Sequence, residues 1–197
     1  MNKEILGKRI LITGDVNTGK TTLARNIMNE LCNGGLSSRI VVLDMAPEIP
    51  EEIAVAKGIR GVGGKLTPTG WDDVIYLTVK TLPPRLTSTN EEEALLKAQK
   101  NKEGIDGLFE EFQRTGRDIL FINDTSIYLH AGHAEDLLRW TGQASTIIAN
   151  AYYGKTLGTG LLSERETAEM EILIKAFPYH IRMPYVTLEE VLNAGVP

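Results

Sequence analysis

A three-layer α/β fold, with a doubly wound and mostly parallel sheet, is predicted by three features of this sequence. Short β-branched apolar runs alternate with segments of helical period along the chain. Those runs lack polar alternation, so they are expected to be covered on both faces, as strands of a parallel sheet are. A loop bounded by glycines joins the first run to the first strong helix.

At 197 residues, with 42% apolar and 24% charged residues, the chain is long enough for one domain spanning 1–197 with a substantial core. The net charge of −5 makes nucleic acid an unexpected partner. Cys32 stands alone, so no disulfide forms within the chain. The sequence shows no membrane-length apolar run and no signal-peptide pattern, so a cytoplasmic location and no membrane partner are expected.

Residues 8–13 read as a buried strand. Leu23, Ala24, Ile27, Met28, Leu31 and Cys32 then form one helical face, and Gly34 and Gly35 end that helix. Residues 39–43 predict a second strand ending at Asp44, and residues 51–57 a short helix. Residues 58–70 hold five glycines and one proline and read as a long mobile loop. A third strand is expected at 74–79. Asn90, followed by three glutamates, caps a helix running to about Arg114, with Leu95, Ile105, Leu108, Phe109 and Phe112 inward and a break at Gly104 or Gly107. Residues 118–122 predict a strand ending at Asn123 and Asp124, 134–141 a helix, and 146–149 a strand ending at Asn150. Ser163 to Glu166 reads as a capping box. A sixth strand at 179–183 and a helix capped by Thr187 complete the pattern. Alternation of this kind implies right-handed βαβ units, with ligands at the carboxyl ends of the strands.

The loop Gly14, Asp15, Val16, Asn17, Thr18, Gly19, Lys20, Thr21 matches G-x-x-x-x-G-K-[ST] between a strand and a helix, which is P-loop NTPase architecture. Its backbone N–H groups point inward as an anion nest, and the helix adds its positive end. Lys20 is expected at the β- and γ-phosphates, Thr21 at Mg²⁺, and Thr22 beside the nucleotide. A hard cation needs further oxygen ligands, and Asp44 and Asp124 both end buried strands near the loop; a helix-capping role is the alternative for each. Asp15 is either a metal-water ligand or catalytic base, or an Asx turn holding the loop. Gly154, Lys155 and Thr156 repeat Gly-Lys-Thr without the leading glycine, and read as a loop touching nucleotide or substrate.

With these motifs the chain resembles the P-loop branch that includes dethiobiotin synthetase and cobyric-acid-type synthetase domains, with MinD/ParA ATPases and metallochaperone GTPases more remote. The likeness is carried by residues 13–21 with Asp15 five before Lys20, by Asp44, by the segment Leu82, Pro83, Pro84, Arg85, and by residues 156–163. It implies that Asn150 contacts the nucleotide base and that Pro84, Arg85 and Thr87 meet a small acceptor. It also implies homodimers. The branch's Glu-Gly-Ala-Gly-Gly segment is here Asn123 to Ile127, with Asp124 available in place of the glutamate, and the extra early lysine of MinD-type loops is Asp15.

The expected activity is Mg²⁺-dependent binding of a nucleoside triphosphate, ATP ahead of GTP because no Asn-Lys-x-Asp base-reading motif follows. The γ-phosphoryl would pass to water or to a carboxylate or carbamate, with Lys20, Asp15 and Asp124 catalytic and Arg85 pairing the acceptor's anion. The alternative is a nucleotide-dependent switch or chaperone acting on a protein partner. Among other residues, His130 and His133 read as a surface turn, the glutamates at 164, 166, 169 and 171 as a solvated face, and Cys32 as packing. Tyr152 and Tyr153 read as a lid or loop anchors, and Arg60 and Lys65 as phosphate contacts or a plain surface loop.

Overall fold

In the computed structural model, residues 2–56, 58–59, 64–184 and 188–193 are described. The strands are β1 (Arg9–Gly14), β2 (Ile40–Asp44), β3 (Ile75–Thr78), β4 (Ile119–Asn123), β5 (Thr146–Tyr152) and β6 (Tyr179–Arg182). The helices are α1 (Asn2–Ile5), α2 (Lys20–Asn33), α3 (Glu51–Ala56), α4 (Pro84–Thr87), α5 (Glu91–Thr115), α6 (Ser126–Leu129), α7 (Ala134–Trp140), α8 (Leu161–Ala176) and α9 (Leu188–Asn193). The six strands make one sheet in the order β3-β2-β4-β5-β1-β6, and every pairing is parallel.

The continuous apolar runs are explained by what covers them. Along β2, Val41 and Leu43 face one layer while Ile40 and Val42 face the other. The first layer is built from α5, α6, α7 and α8 around Ile105, Phe109, Phe112, Tyr128 and Leu173. The second is built on α2 and α9 around Ile27, Met28, Leu31 and Leu188. Both faces are therefore dry along most of their length. Cys32 packs in the second layer, where burial pushes its thiol up to about 11.

Several local expectations differ from what forms. Helix α5 runs unbroken through Gly104 and Gly107, because its ends and one apolar stripe hold it. Its cap is the expected one: Asn90 Oδ1 accepts from Glu93 N at 2.9 Å, and Glu93 Oε2 accepts from Thr89 N at 2.8 Å. Leu95 lies outward, 45% exposed, because the inward stripe starts at Ala98. Helix α8 starts at Leu161 behind Gly160, so Ser163 sits inside the helix and caps nothing. A short helix precedes β1 at Asn2–Ile5, and two more, α4 and α6, follow β3 and β4 where plain loop was expected. Lys57 and Arg60 lie outside the described residues, as does Thr187. The described end of the 58–70 loop is tied down, with Leu66 N donating to Asp44 Oδ2 at 2.6 Å. Among the described residues, no helix is long and apolar enough to cross a membrane.

Candidate functional site at the carboxyl edge of the sheet

The loop between β1 and α2 is made possible by tight backbone. A Cβ on Gly14 would lie 2.7 Å from Thr18 Oγ1 and 2.8 Å from the Met183 carbonyl, so no other residue fits. Asn17 and Gly19 take positive φ, which turns the chain back on itself. Thr18 Oγ1 closes the curl by donating to the Asp15 carbonyl at 2.9 Å. Lys20 opens α2, and its ammonium donates to that same carbonyl at 2.6 Å. The cation therefore arches over the loop. Burial lowers its pKa, opposed by the nearby carboxylates of Asp124 and Asp15.

A cavity of about 400 Å³ opens under this loop. Val16, Asn17, Thr18, Gly19, Lys20, Thr21 and Thr22 form one wall; Asp124, Ser126 and His130 another; Pro83, Pro84 and Arg85 a third. These segments follow β1, β4 and β3, so the carboxyl edge of the sheet gathers them.

A buried polar layer underlies that edge. Asn123 Nδ2 donates to Asp44 Oδ1 at 2.9 Å and to the Gly64 carbonyl at 2.9 Å. Asn123 Oδ1 accepts from Asn150 Nδ2 at 2.8 Å and from Thr21 Oγ1 at 3.4 Å. Asn150 Oδ1 accepts from Asp124 N at 3.0 Å. The strand order explains why: β4 lies between β2 and β5, so Asn123 bridges Asp44 on one side and Asn150 on the other.

This layer separates the candidate carboxylates. Asp124 lines the cavity, held at φ 60 with its Oδ1 accepting from Ser126 Oγ at 2.8 Å. A non-glycine residue at that φ is uncommon, and here the Asn150 bond fixes it. Burial raises the Asp124 carboxyl pKa, with Ser126 and Lys20 pulling the other way. Asp44 is different. It is fully buried, and its oxygens accept from Ala46 N, Leu66 N, Tyr76 OH and Asn123 Nδ2. With both oxygens spent on the strand–loop junction, it does not line the cavity. The expectation of Asp44 as a metal ligand is corrected accordingly.

Asp15 also turns elsewhere. Its Oδ1 accepts from Val16 N at 2.7 Å and its Oδ2 from Lys155 N at 3.1 Å, with Thr156 adding further bonds. Burial opposes the charge, but those bonds hold its pKa below the ordinary value. The carboxylate acts as an anchor between the two Gly-Lys-Thr segments, which favours the turn-holding role over that of a base. Thr87 is spent as well, donating to the Pro83 carbonyl at 3.0 Å and accepting from Lys97 Nζ at 3.2 Å, off the cavity. Pro84 and Arg85 do line it, as does Asn150, though both ends of the Asn150 amide are engaged in the polar layer. Tyr152 is a buried strand residue whose hydroxyl accepts from Leu157 N at 3.0 Å, an anchor and not a lid. Lys65, read as a phosphate contact or a plain loop residue, donates to the Ala46 carbonyl.

Three residues at the site escaped the sequence reading. Asn123 stands at a strand end like Asp124, and only strand pairing shows its role. His130 and Glu166 were expected at the surface but are buried, 1% and 3% exposed. Glu166 carried a signal: it falls on the stripe of Leu162, Met170 and Leu173, the inward face of α8. His130 Nε2 lies 3.2 Å from Glu166 Oε2, and Arg85 pairs with that same oxygen. His133 is exposed and meets Glu169 at 2.8 Å. Among the described residues no group of three or more His, Cys, Asp or Glu forms a metal cluster.

Strand, phosphate loop, helix and overarching lysine make this chain a P-loop α/β protein. It matches no protein-family model and no curated protein. Among solved structures it is similar to the flagellar accessory protein FlaH from Methanocaldococcus jannaschii, at 14% identity over 92% of this chain and 75% of that one, with a TM-score of 0.49. That likeness does not place the chain in the synthetase branch its motifs suggest.

Proposed function

We propose that the chain binds a nucleoside triphosphate with Mg²⁺, ATP ahead of GTP, and hydrolyses it. The observation that carries this reading is the cavity itself, which brings the amide nest, Lys20, Thr21 and the Asp124 carboxyl to one space. The nest and the start of the 14-residue helix α2 would take the β-phosphate, and Lys20 would leave the Asp15 carbonyl for the phosphate oxygens.

The donors suit Mg²⁺, which keeps several waters and asks little of the protein beside phosphates. The Thr21 hydroxyl would hold it directly and Asp124 through water. Bound there, it would neutralise charge on the phosphates. Asp124, on the cavity wall beside Lys20 and Thr21, would orient the attacking water and take its proton. The water oxygen forms the new bond to the γ-phosphorus, and the bridging electron pair leaves with the diphosphate.

Hydrolysis is favoured over transfer to a carboxylate or carbamate acceptor, the synthetase-like reading. Such an acceptor needs a cation of its own. The described cations lining the cavity are Lys20, Arg25 and Arg85. Lys20 would serve the phosphates, Arg25 donates to the Lys65 carbonyl at 2.7 Å, and Arg85, held by Glu166, would be drawn to the triphosphate before a separate acceptor.

Titration calorimetry with Mg·ATP, together with ADP release, tests the reading. Lys20→Ala is expected to weaken binding by about 10²-fold or more and to abolish release, consistent with loss of a charge-assisted phosphate contact of about 2–3 kcal/mol. Wild-type affinity and turnover in that variant would refute it.

A further inference from the structure

We propose that Arg85 is a catalytic arginine for the γ-phosphate, held in reserve by Glu166 until a nucleoside triphosphate fills the cavity. The inference rests on the nucleotide-binding reading and adds to it a residue whose guanidinium reaches the transferred group.

Arg85 lines the same cavity as Lys20, Thr21 and Asp124. Its place relative to them follows from what each group senses. Asp124 is influenced electrostatically by both Lys20 and Glu166, and Glu166 holds Arg85. Tyr152 lies in the fields of both Asp15 and Arg85, with the guanidinium 5.0 Å from its ring. Tyr152 is paired in register with Gly14, the first residue of the phosphate loop. Arg85 therefore shares one cavity with the loop, and in the proposed arrangement its guanidinium would meet the terminal phosphate of a triphosphate and not a diphosphate.

The arginine is positioned but not locked. Its Nη1 donates to Ser163 Oγ at 3.3 Å, a long contact, and among the described residues its ionic partner is a single oxygen, Glu166 Oε2. The other oxygen, Glu166 Oε1, is buried without a hydrogen-bond partner among the described residues. A bidentate Arg–carboxylate pair would use both oxygens, and this one does not. A phosphate offers a guanidinium the two-pronged geometry that Glu166 withholds.

Departure of Arg85 would ordinarily strand a buried carboxylate at high cost. Here His130 is already 3.2 Å from Glu166 Oε2 and stays behind as its partner. When the guanidinium leaves, the carboxylate keeps a hydrogen-bond partner in His130. No bond is made or broken in this step. The guanidinium exchanges one anion for another, and the negative charge that develops on the γ-phosphoryl oxygens is met by a second cation besides Lys20.

The test is calorimetry of the full chain with Mg·ADP and with Mg·AMPPNP, a non-hydrolysable triphosphate, plus steady-state ATP turnover. Arg85→Ala is expected to weaken AMPPNP about tenfold or more while leaving ADP within about twofold, and to lower turnover at saturating ATP by about 10²-fold or more. Glu166→Gln, which loosens the holding pair, is expected to tighten AMPPNP severalfold and leave ADP unchanged. A residue with only a packing role would move both nucleotides together. Equal effects on ADP and AMPPNP, or none on either, would overturn the proposal. If Arg85→Ala does not fold by thermal melt, Arg85→Lys decides on the same criterion, because a point charge keeps the pairing and loses the fork. Failure of the wild-type chain to bind either nucleotide would instead sink the phosphate-loop reading beneath it.

Discussion

Asn123 Nδ2 donates to Asp44 Oδ1 at 2.9 Å, with both side chains buried at the ends of neighbouring strands. That one amide joins the strand end at β2, the 64–66 segment and Asn150, so it fixes the floor on which the phosphate loop and Asp124 rest.

Asn123→Leu is expected to cost about 2–3 kcal/mol of stability, since it strands acceptors on Asp44 and Gly64 and a donor on Asn150. Urea denaturation would show a lower midpoint with an unchanged slope. A variant as stable as the wild type would mean the layer is rehydrated at no cost.

Asp124→Asn keeps a side chain that tolerates positive φ and removes the base. ATP turnover is expected to fall by about 10²-fold or more with nucleotide affinity little changed. Unaltered turnover would take the proton-accepting role away from this residue.

A Cβ at Gly154 would sit 2.4 Å from Asp15 Cγ, so Gly154→Ala must displace either the carboxylate or the loop. The expected destabilisation is about 1–3 kcal/mol. The same substitution in an Asp15→Ala background is expected to cost much less, giving a clear coupling in a double-mutant cycle. Strictly additive effects would show that Asp15 does not hold the 154–156 segment.

Asp118 is held down to about 2, from its ordinary 3.8, chiefly by its hydrogen bonds to Arg39. The folded-state pKa is depressed, so the pair stabilises the fold above about pH 4 and the contribution is lost as pH falls towards 2. Both side chains are more than a third exposed, at 45% and 35%, so solvent screening limits the gain to about 0.5–1 kcal/mol. Melting curves of Arg39→Ala and wild type are expected to differ at pH 6 and converge near pH 2. A difference that persists in acid would argue against the pairing.

The phosphate loop was readable because its requirements are local. Gly14, Lys20 and Thr21 act through backbone conformation and helix start, which eight consecutive residues determine. The alternation of strand and helix was readable for a similar reason, since residue periodicity reflects which faces are dry. Asn90 and Gly34 show the same local logic at helix termini.

The fates of the polar residues were not local. Asp44 and Asp124 both end buried strands, yet one is enclosed by four donors and the other faces the cavity, because β4 sits between β2 and β5. Glu166 and Glu164 differ by two positions on one helix, which turns one into the core and the other to water. The sequence alone determined the layers and the loop, since both follow from short-range backbone geometry. Only the tertiary structure decided which carboxylates face the cavity and which cation each one holds, because burial and charge pairing are set by segments far apart in the chain and adjacent only after the sheet has formed.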